Sequence, residues 1–132
     1  MMAANPTAGA GILVVEDETM LLLVIAETLR EAGFEVWEAS DGDAALEILN
    51  RQPDVDLLIT DIKMPGMNGY QVADASLRLR PDLKVLFMTG YAQEPIPQNV
   101  KQAGIPVLHK PFDFNKLPQI AKNLVDGSAP SA

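Results

Sequence analysis

Two continuous apolar runs, VDLLIT at residues 55–60 and LKVLFMT at 83–89, restrict this chain more than any other feature. A strand with one covered face alternates apolar and polar residues, because successive side chains point to opposite sides. These runs scarcely alternate, so each is expected to be a central strand of a parallel sheet, covered on both faces. Parallel neighbours need crossover connections, and helices supply them.

The rest of the chain meets that demand. GILVVED (11–17) is a third short apolar run, ending in acids. ETMLLLVIAETLREAG reads as a helix with Leu22, Ile25, Leu29 and Ala32 on one face and Gly33 as its stop. FEVWEA alternates, as an edge strand with one covered face should. DGDAALEILNRQP is a short helix with an Asp start and a Pro stop. NGYQVADASLRLRP is another, with Val72, Ala73, Ser76 and Leu77 facing inward. EPIPQNVKQAG carries two prolines and is expected to be short or frayed at its start. IPVLHK is a short strand whose Pro106 suits an edge, where no ladder donor is needed. NKLPQIAKNLV closes the series with a stripe of Leu117, Ile120, Ala121 and Leu124. Pro118 fits the first helical turn, which places the start near Asn115.

Five strands alternating with five helices imply an α/β fold with a parallel sheet and helices on both faces. The second and fifth strands look like edges. The order 2-1-3-4-5 puts them outside, which is the flavodoxin-like order of a three-layer sandwich. The length of 132 residues suits one domain, expected over 11–126, with residues 1–10 and 127–132 as flexible tails. There is no Cys, so disulfides, thiolate metal sites and a Cys nucleophile are excluded. The N-terminus lacks the pattern of a signal peptide, and no apolar run spans a bilayer, so a cytoplasmic, membrane-free protein is expected. A formal net charge of −8 argues against direct nucleic-acid binding.

In sheets of this order a site forms outside the carboxyl ends of the strands. Strand one ends in Glu16-Asp17, strand three in Asp61, strand four in Thr89-Gly90 and strand five in Lys110-Pro111. Three clustered carboxylates repel one another and raise one another's pKa values. A hard divalent cation such as Mg²⁺ removes that repulsion, binding through carboxylates and waters. Lys110 adds a point charge suited to a phosphoryl group, and Thr89 adds a hydroxyl. Asp61 is a candidate nucleophile, since carboxylates form aspartyl-phosphates. Taken singly, Asp61 suits a strand-end turn, Glu16 and Asp17 suit helix capping, and Lys110 suits the surface. Their co-occurrence at matching strand ends favours a working site.

The motifs VVEDE, LLITDIKMPGMNGY, FMTGYA and HKPF resemble the receiver domain of two-component response regulators, over roughly residues 11–126. The resemblance implies that Asp61 is the phosphoacceptor. It implies that Asp17 binds Mg²⁺ directly, Glu16 through water, and Lys63 through its backbone carbonyl. It further implies that Thr89 hydrogen-bonds the phosphoryl group and that Lys110 pairs with it across an often cis Lys110–Pro111 bond. The implied partners are a sensor histidine kinase or histidine phosphotransfer protein and a downstream protein target. No enzyme activity is implied beyond self-catalysed phosphotransfer and autodephosphorylation.

Two departures stand out. Val107 occupies the place where many receivers carry an aromatic switch residue, as in a subset with a Thr-Gly-Tyr segment, and Tyr91 is a candidate substitute. The closing DGSAPSA is too short for an effector domain, so a stand-alone receiver or a piece of a hybrid kinase is expected. Among competing readings, an aspartate-nucleophile phosphatase would want an Asp two residues after Asp61, where Lys63 stands. A nucleotide or flavin binder would want a GxGxxG or Walker segment, and there is none. A degenerate receiver that only binds a partner is the alternative within the family. The run Met20–Ile25 is apolar on more than one helical face, which suits either a tightly covered helix or a docking patch.

Overall fold

A computed structural model of the chain describes residues 9–90 and 97–127. Tyr91 and residues 94–96 of the proline-bearing segment lie outside the described residues. In order, the elements are β1 (Gly11–Val15), α1 (Thr19–Glu31), β2 (Glu35–Ala39), α2 (Gly42–Arg51), β3 (Val55–Asp61), α3 (Gly69–Leu79), β4 (Lys84–Thr89), α4 (Gln98–Ala103), β5 (Val107–His109) and α5 (Leu117–Val125). The strands form one sheet in the order β2-β1-β3-β4-β5, and every pairing is parallel. This is the expected flavodoxin-like three-layer sandwich.

The pleat divides the strands between two apolar layers. Ile12, Val14, Leu57, Ile59, Leu86 and Met88 meet Leu22, Ile25 and Leu29 of α1 and Leu117, Ala121 and Leu124 of α5. Leu13, Val15, Leu58, Val85 and Phe87 meet α2, α3 and Val100 of α4 on the other side. Each fully buried Leu or Ile contributes about 2 kcal/mol. The central runs carry no alternation because both of their faces are core.

The helix ends follow local chemistry. The Asp41 side chain accepts the Ala44 N–H, starting α2. Asn68 and Gln71 form a reciprocal capping box at the head of α3. At the last helix a short 3₁₀ turn, Phe114–Lys116, precedes α5. The α-helix therefore starts at Leu117, two residues later than the proline alone predicted, because Asp113 caps the turn through the Asn115 N–H.

One expectation needs correction. β2 is an edge strand, but both of its faces are covered: Val36 joins the α1/α5 layer, while Ala39 and half-buried Trp37 join the other. Helices on both sides of the sheet reach far enough to cover its edge.

Candidate functional site

The backbone builds the rim of the sheet before any side chain acts. The residue just past the end of β1, β3 and β5 stays tied to a neighbouring strand. The Glu16 N–H donates to the Ala39 carbonyl at 3.1 Å, Ile62 N–H to Met88 at 3.0 Å, and Lys110 N–H to Thr89 at 2.7 Å. Gly69 fixes the loop after β3. A Cβ there would lie 2.3 Å from the Asp61 carbonyl oxygen, so only glycine lets the head of α3 come this close. The Lys110–Pro111 peptide is cis.

These ties bring the acids together. One carboxylate oxygen from each of Glu16, Asp17 and Asp61 lies within 4.8 Å of the other two. Asp17 is exposed, while Glu16 and Asp61 are buried. Lys110 closes the group. Its Nζ lies 2.9 Å from Glu16 Oε1 and 3.4 Å from Asp61 Oδ1. Asp61 Oδ1 also accepts the Ile62 N–H at 3.0 Å, and Glu16 Oε2 accepts the Glu18 N–H at 3.0 Å. Thr89 ends β4 one residue beyond Met88, the register partner of Asp61, and is buried. Lys63 follows β3 in the loop to α3, with an exposed side chain. Val107 is half-buried on β5 as the register partner of Phe87, whose ring meets Tyr70 edge-on at 5.0 Å. His109 is exposed at the end of β5.

Burial sets the electrostatics. Desolvation raises the Asp61 carboxyl above its ordinary value, and the Lys110 ammonium only partly offsets this. Burial raises Glu16 as well, against the lowering by its Lys110 and Glu18 hydrogen bonds. Burial by itself would lower Lys110, but the Glu16 hydrogen bond and the Asp61 charge outweigh it, and its pKa is raised. Lys110 pairs with two of the three acids, so the cluster carries uncompensated negative charge. Hard oxygen donors at this spacing fit a cation such as Mg²⁺. Beside Asp17 opens a cleft of about 660 Å³, lined also by Asp41, Asp43 and Met67.

Sequence reasoning named every side chain in this cluster. It missed the backbone donors of Glu18 and Ile62, which no residue type announces. It also missed that Lys110 bonds Glu16 more closely than Asp61.

Residues 12–122 match the response regulator receiver domain family. The chain belongs to that family. This receiver is 36% identical over 107 residues to the response regulator receiver protein CpdR of Brucella abortus (strain 2308), an alignment covering 80% of this chain and 88% of CpdR. It is 31% identical over 126 residues to the sensor kinase CckA of the same organism, but covers 13% of that protein against 94% of its own length. Among solved structures, the receiver is similar to the response regulator TrrA of Thermotoga maritima in complex with Mg²⁺ and BeF. The TM-score is 0.76 at 32% identity, covering 86% of this chain and 97% of TrrA. Two-component response regulation is therefore the setting in which this site is to be understood.

Proposed function

We propose that the receiver takes a phosphoryl group on Asp61 from a phosphohistidine of a sensor kinase or phosphotransfer protein, and signals by docking on a target protein or by relay. The carrying observation is the Asp61 carboxylate, 3.4 Å from Lys110 and clustered with Asp17 and Glu16 within 4.8 Å. In the transfer an Asp61 oxygen forms the new P–O bond as the P–N bond to the donor histidine breaks, and the released imidazole keeps the electron pair. Asp17, Asp61 and the Lys63 carbonyl would hold Mg²⁺, with Glu16 reaching it through water, and the bound ion would supply charge neutralisation at the phosphoryl oxygens. Lys110 supplies the second positive charge, and Thr89 a hydroxyl beside it. The CpdR likeness supports the signalling role, and the TrrA complex with Mg²⁺ and BeF supports the metal. The chemistry is that of a switch with self-catalysed transfer and autodephosphorylation, placed in the cytoplasm with its donor; among the described residues no helix is long and apolar enough to cross a membrane.

The donor must reach Asp61, and α1 offers it a foothold. Leu22, Ile25, Ala26 and Leu29 face the core, whereas Met20, Leu23 and Val24 are 67%, 45% and 41% exposed. Exposed apolar groups beside the mouth of the site favour the docking patch over a fully covered helix.

The deciding experiment follows Trp37 fluorescence and amide NMR with Mg²⁺, then with beryllofluoride, on wild type and Asp61→Asn. Shifts at Asp17, Asp61 and Thr89 that need both Mg²⁺ and Asp61 are expected. A well-folded wild type that does not respond would overturn the reading in favour of a partner-binding receiver that is never phosphorylated.

A further inference from the structure

Asn68 is the only asparagine of the chain that a glycine follows, and the pair stands at the head of α3. Asn-Gly is the sequence at which the backbone most readily attacks its own side chain, because glycine has no Cβ to obstruct the ring that forms. The Gly69 nitrogen bonds to Asn68 Cγ, the Cγ–Nδ2 bond breaks, and ammonia leaves with the Gly69 proton. Water then opens the succinimide to aspartate or isoaspartate. The fold opposes each part of this reaction. The Gly69 N–H donates to the Ile62 carbonyl at 2.7 Å, which holds the proton that the attack must remove. Asn68 Oδ1 accepts the Gln71 N–H at 2.9 Å, and Gln71 Oε1 accepts the Asn68 N–H at 2.8 Å, so the side chain is bound to the helix with its backbone at φ −81°, ψ 172°. Gly69 is buried against the Asp61 carbonyl, which leaves the ring no room. Asn68 itself is only half-buried, so water is at hand once the helix head opens.

We propose that Asn68 is a latent deamidation site, closed while the capping box holds and open when the head of α3 frays. The two products differ in consequence. Aspartate keeps the backbone and caps the helix as asparagine does. Isoaspartate routes the main chain through the side-chain carbon and lengthens it next to Gly69, where the loop is pinned to Ile62 and packed on Asp61. That product no longer fits the loop behind Asp61. The deamidation chemistry does not depend on what Asp61 does; only its effect on beryllofluoride uptake rests on the phosphoacceptor reading.

The test ages folded wild type, Gln71→Ala and Asn68→Ser at mildly alkaline pH, beside wild type unfolded in urea. Conversion of residue 68 to the acid is read by peptide mass, and isoaspartate by enzymatic methylation. The unfolded chain is expected to convert at least about tenfold faster than the folded one. Folded Gln71→Ala should convert about fivefold faster than folded wild type, since a lost cap raises the open population by that factor. Asn68→Ser keeps a capping hydroxyl and should form no acid there. Of the aged products, the isoaspartate form should lose its beryllofluoride response, while the aspartate form, matched by Asn68→Asp, keeps it. Equal rates in folded and unfolded wild type overturn the proposal. So does an unchanged rate in Gln71→Ala, or an isoaspartate form with wild-type beryllofluoride affinity. A fresh wild type blind to beryllofluoride overturns the phosphoacceptor reading instead, and the conversion rates still decide whether the capping box closes the site.

Discussion

Two cations are anchored at opposite ends of the same sheet, and their partners differ in kind. At the carboxyl rim, Lys110 lies between the carboxylates of Glu16 and Asp61. At the amino rim, among the described residues, Arg80 holds backbone carbonyls only: those of Leu49 at 3.5 Å, Gln52 at 3.1 Å, Pro53 at 2.8 Å and Val55 at 2.7 Å. These carbonyls belong to the C-terminus of α2, the turn that follows and the first residue of β3; those at the helix end have lost their own partners. The guanidinium fork satisfies several fixed dipoles at once, which a lysine cannot do. Neutral dipoles cannot leave or be traded, so the Arg80 contact is a permanent brace. Carboxylates can exchange a lysine for a metal ion or a phosphoryl group. The difference teaches that exchangeable partners mark the working rim and fixed partners the structural one.

Arg80→Ala attacks the structural side and should have the largest effect on stability, a loss of about 2–3 kcal/mol in urea unfolding. Beryllofluoride uptake by the molecules that remain folded should be unchanged, and Mg²⁺ should not repair the loss. Arg80→Lys should recover only part of it. Lys110→Met attacks the other side. It leaves Glu16 and Asp61 buried without their cation and should cost about 2 kcal/mol in metal-free protein. Saturating Mg²⁺ should return more stability to this variant than to wild type, because the ion replaces the missing charge. An equal Mg²⁺ response in both proteins would erase the contrast between the rims.

A smaller effect comes from pH. Asp61 and Glu16 have folded pKa values raised above their ordinary ones, so the folded state binds their protons more tightly than the unfolded chain. Stability of the metal-free protein should therefore fall as pH rises from the ordinary carboxylate range through the raised values, and level off above them. Asp61→Asn should flatten that slope and stabilise the protein at neutral pH by about 1 kcal/mol, while abolishing beryllofluoride uptake. Urea midpoints measured across the acid range check both points. The smallest change is Ser76→Ala, in the middle of α3 and away from both rims. Its buried hydroxyl has no hydrogen-bond partner among the described residues, so its removal should gain up to about 1 kcal/mol and leave Mg²⁺ and beryllofluoride affinities untouched.

The strands and their order were legible because burial on two faces and on one face leave different patterns in a chain. VDLLIT and LKVLFMT read as central strands, while the polar positions of FEVWEA and the Pro106 of IPVLHK pointed to edges, and the sheet order agrees. The acids, Thr89 and Lys110 were legible for a related reason: a charge placed straight after an apolar run must emerge at the rim. Trp37 packs against the helical layer as its apolar ring demands; less legible was how far that layer covers the edge strand, where Ala39 is buried as well. The split of α1 into a buried stripe and the exposed Met20, Leu23 and Val24 was likewise open, since all of these residues are apolar. Arg80 gave no sign in LRLRP, because its partners are carbonyls that every residue carries.

By itself, then, the sequence determined the periodicities, and with them the sheet, its order and the list of charged groups that gather at one end. The tertiary structure decided who holds whom. Lys110 is 94 residues from Glu16 along the chain, and no local pattern encodes that pairing. It arises because β5 and β1 end at the same level of one sheet, where burial makes each charge depend on the nearest opposite one.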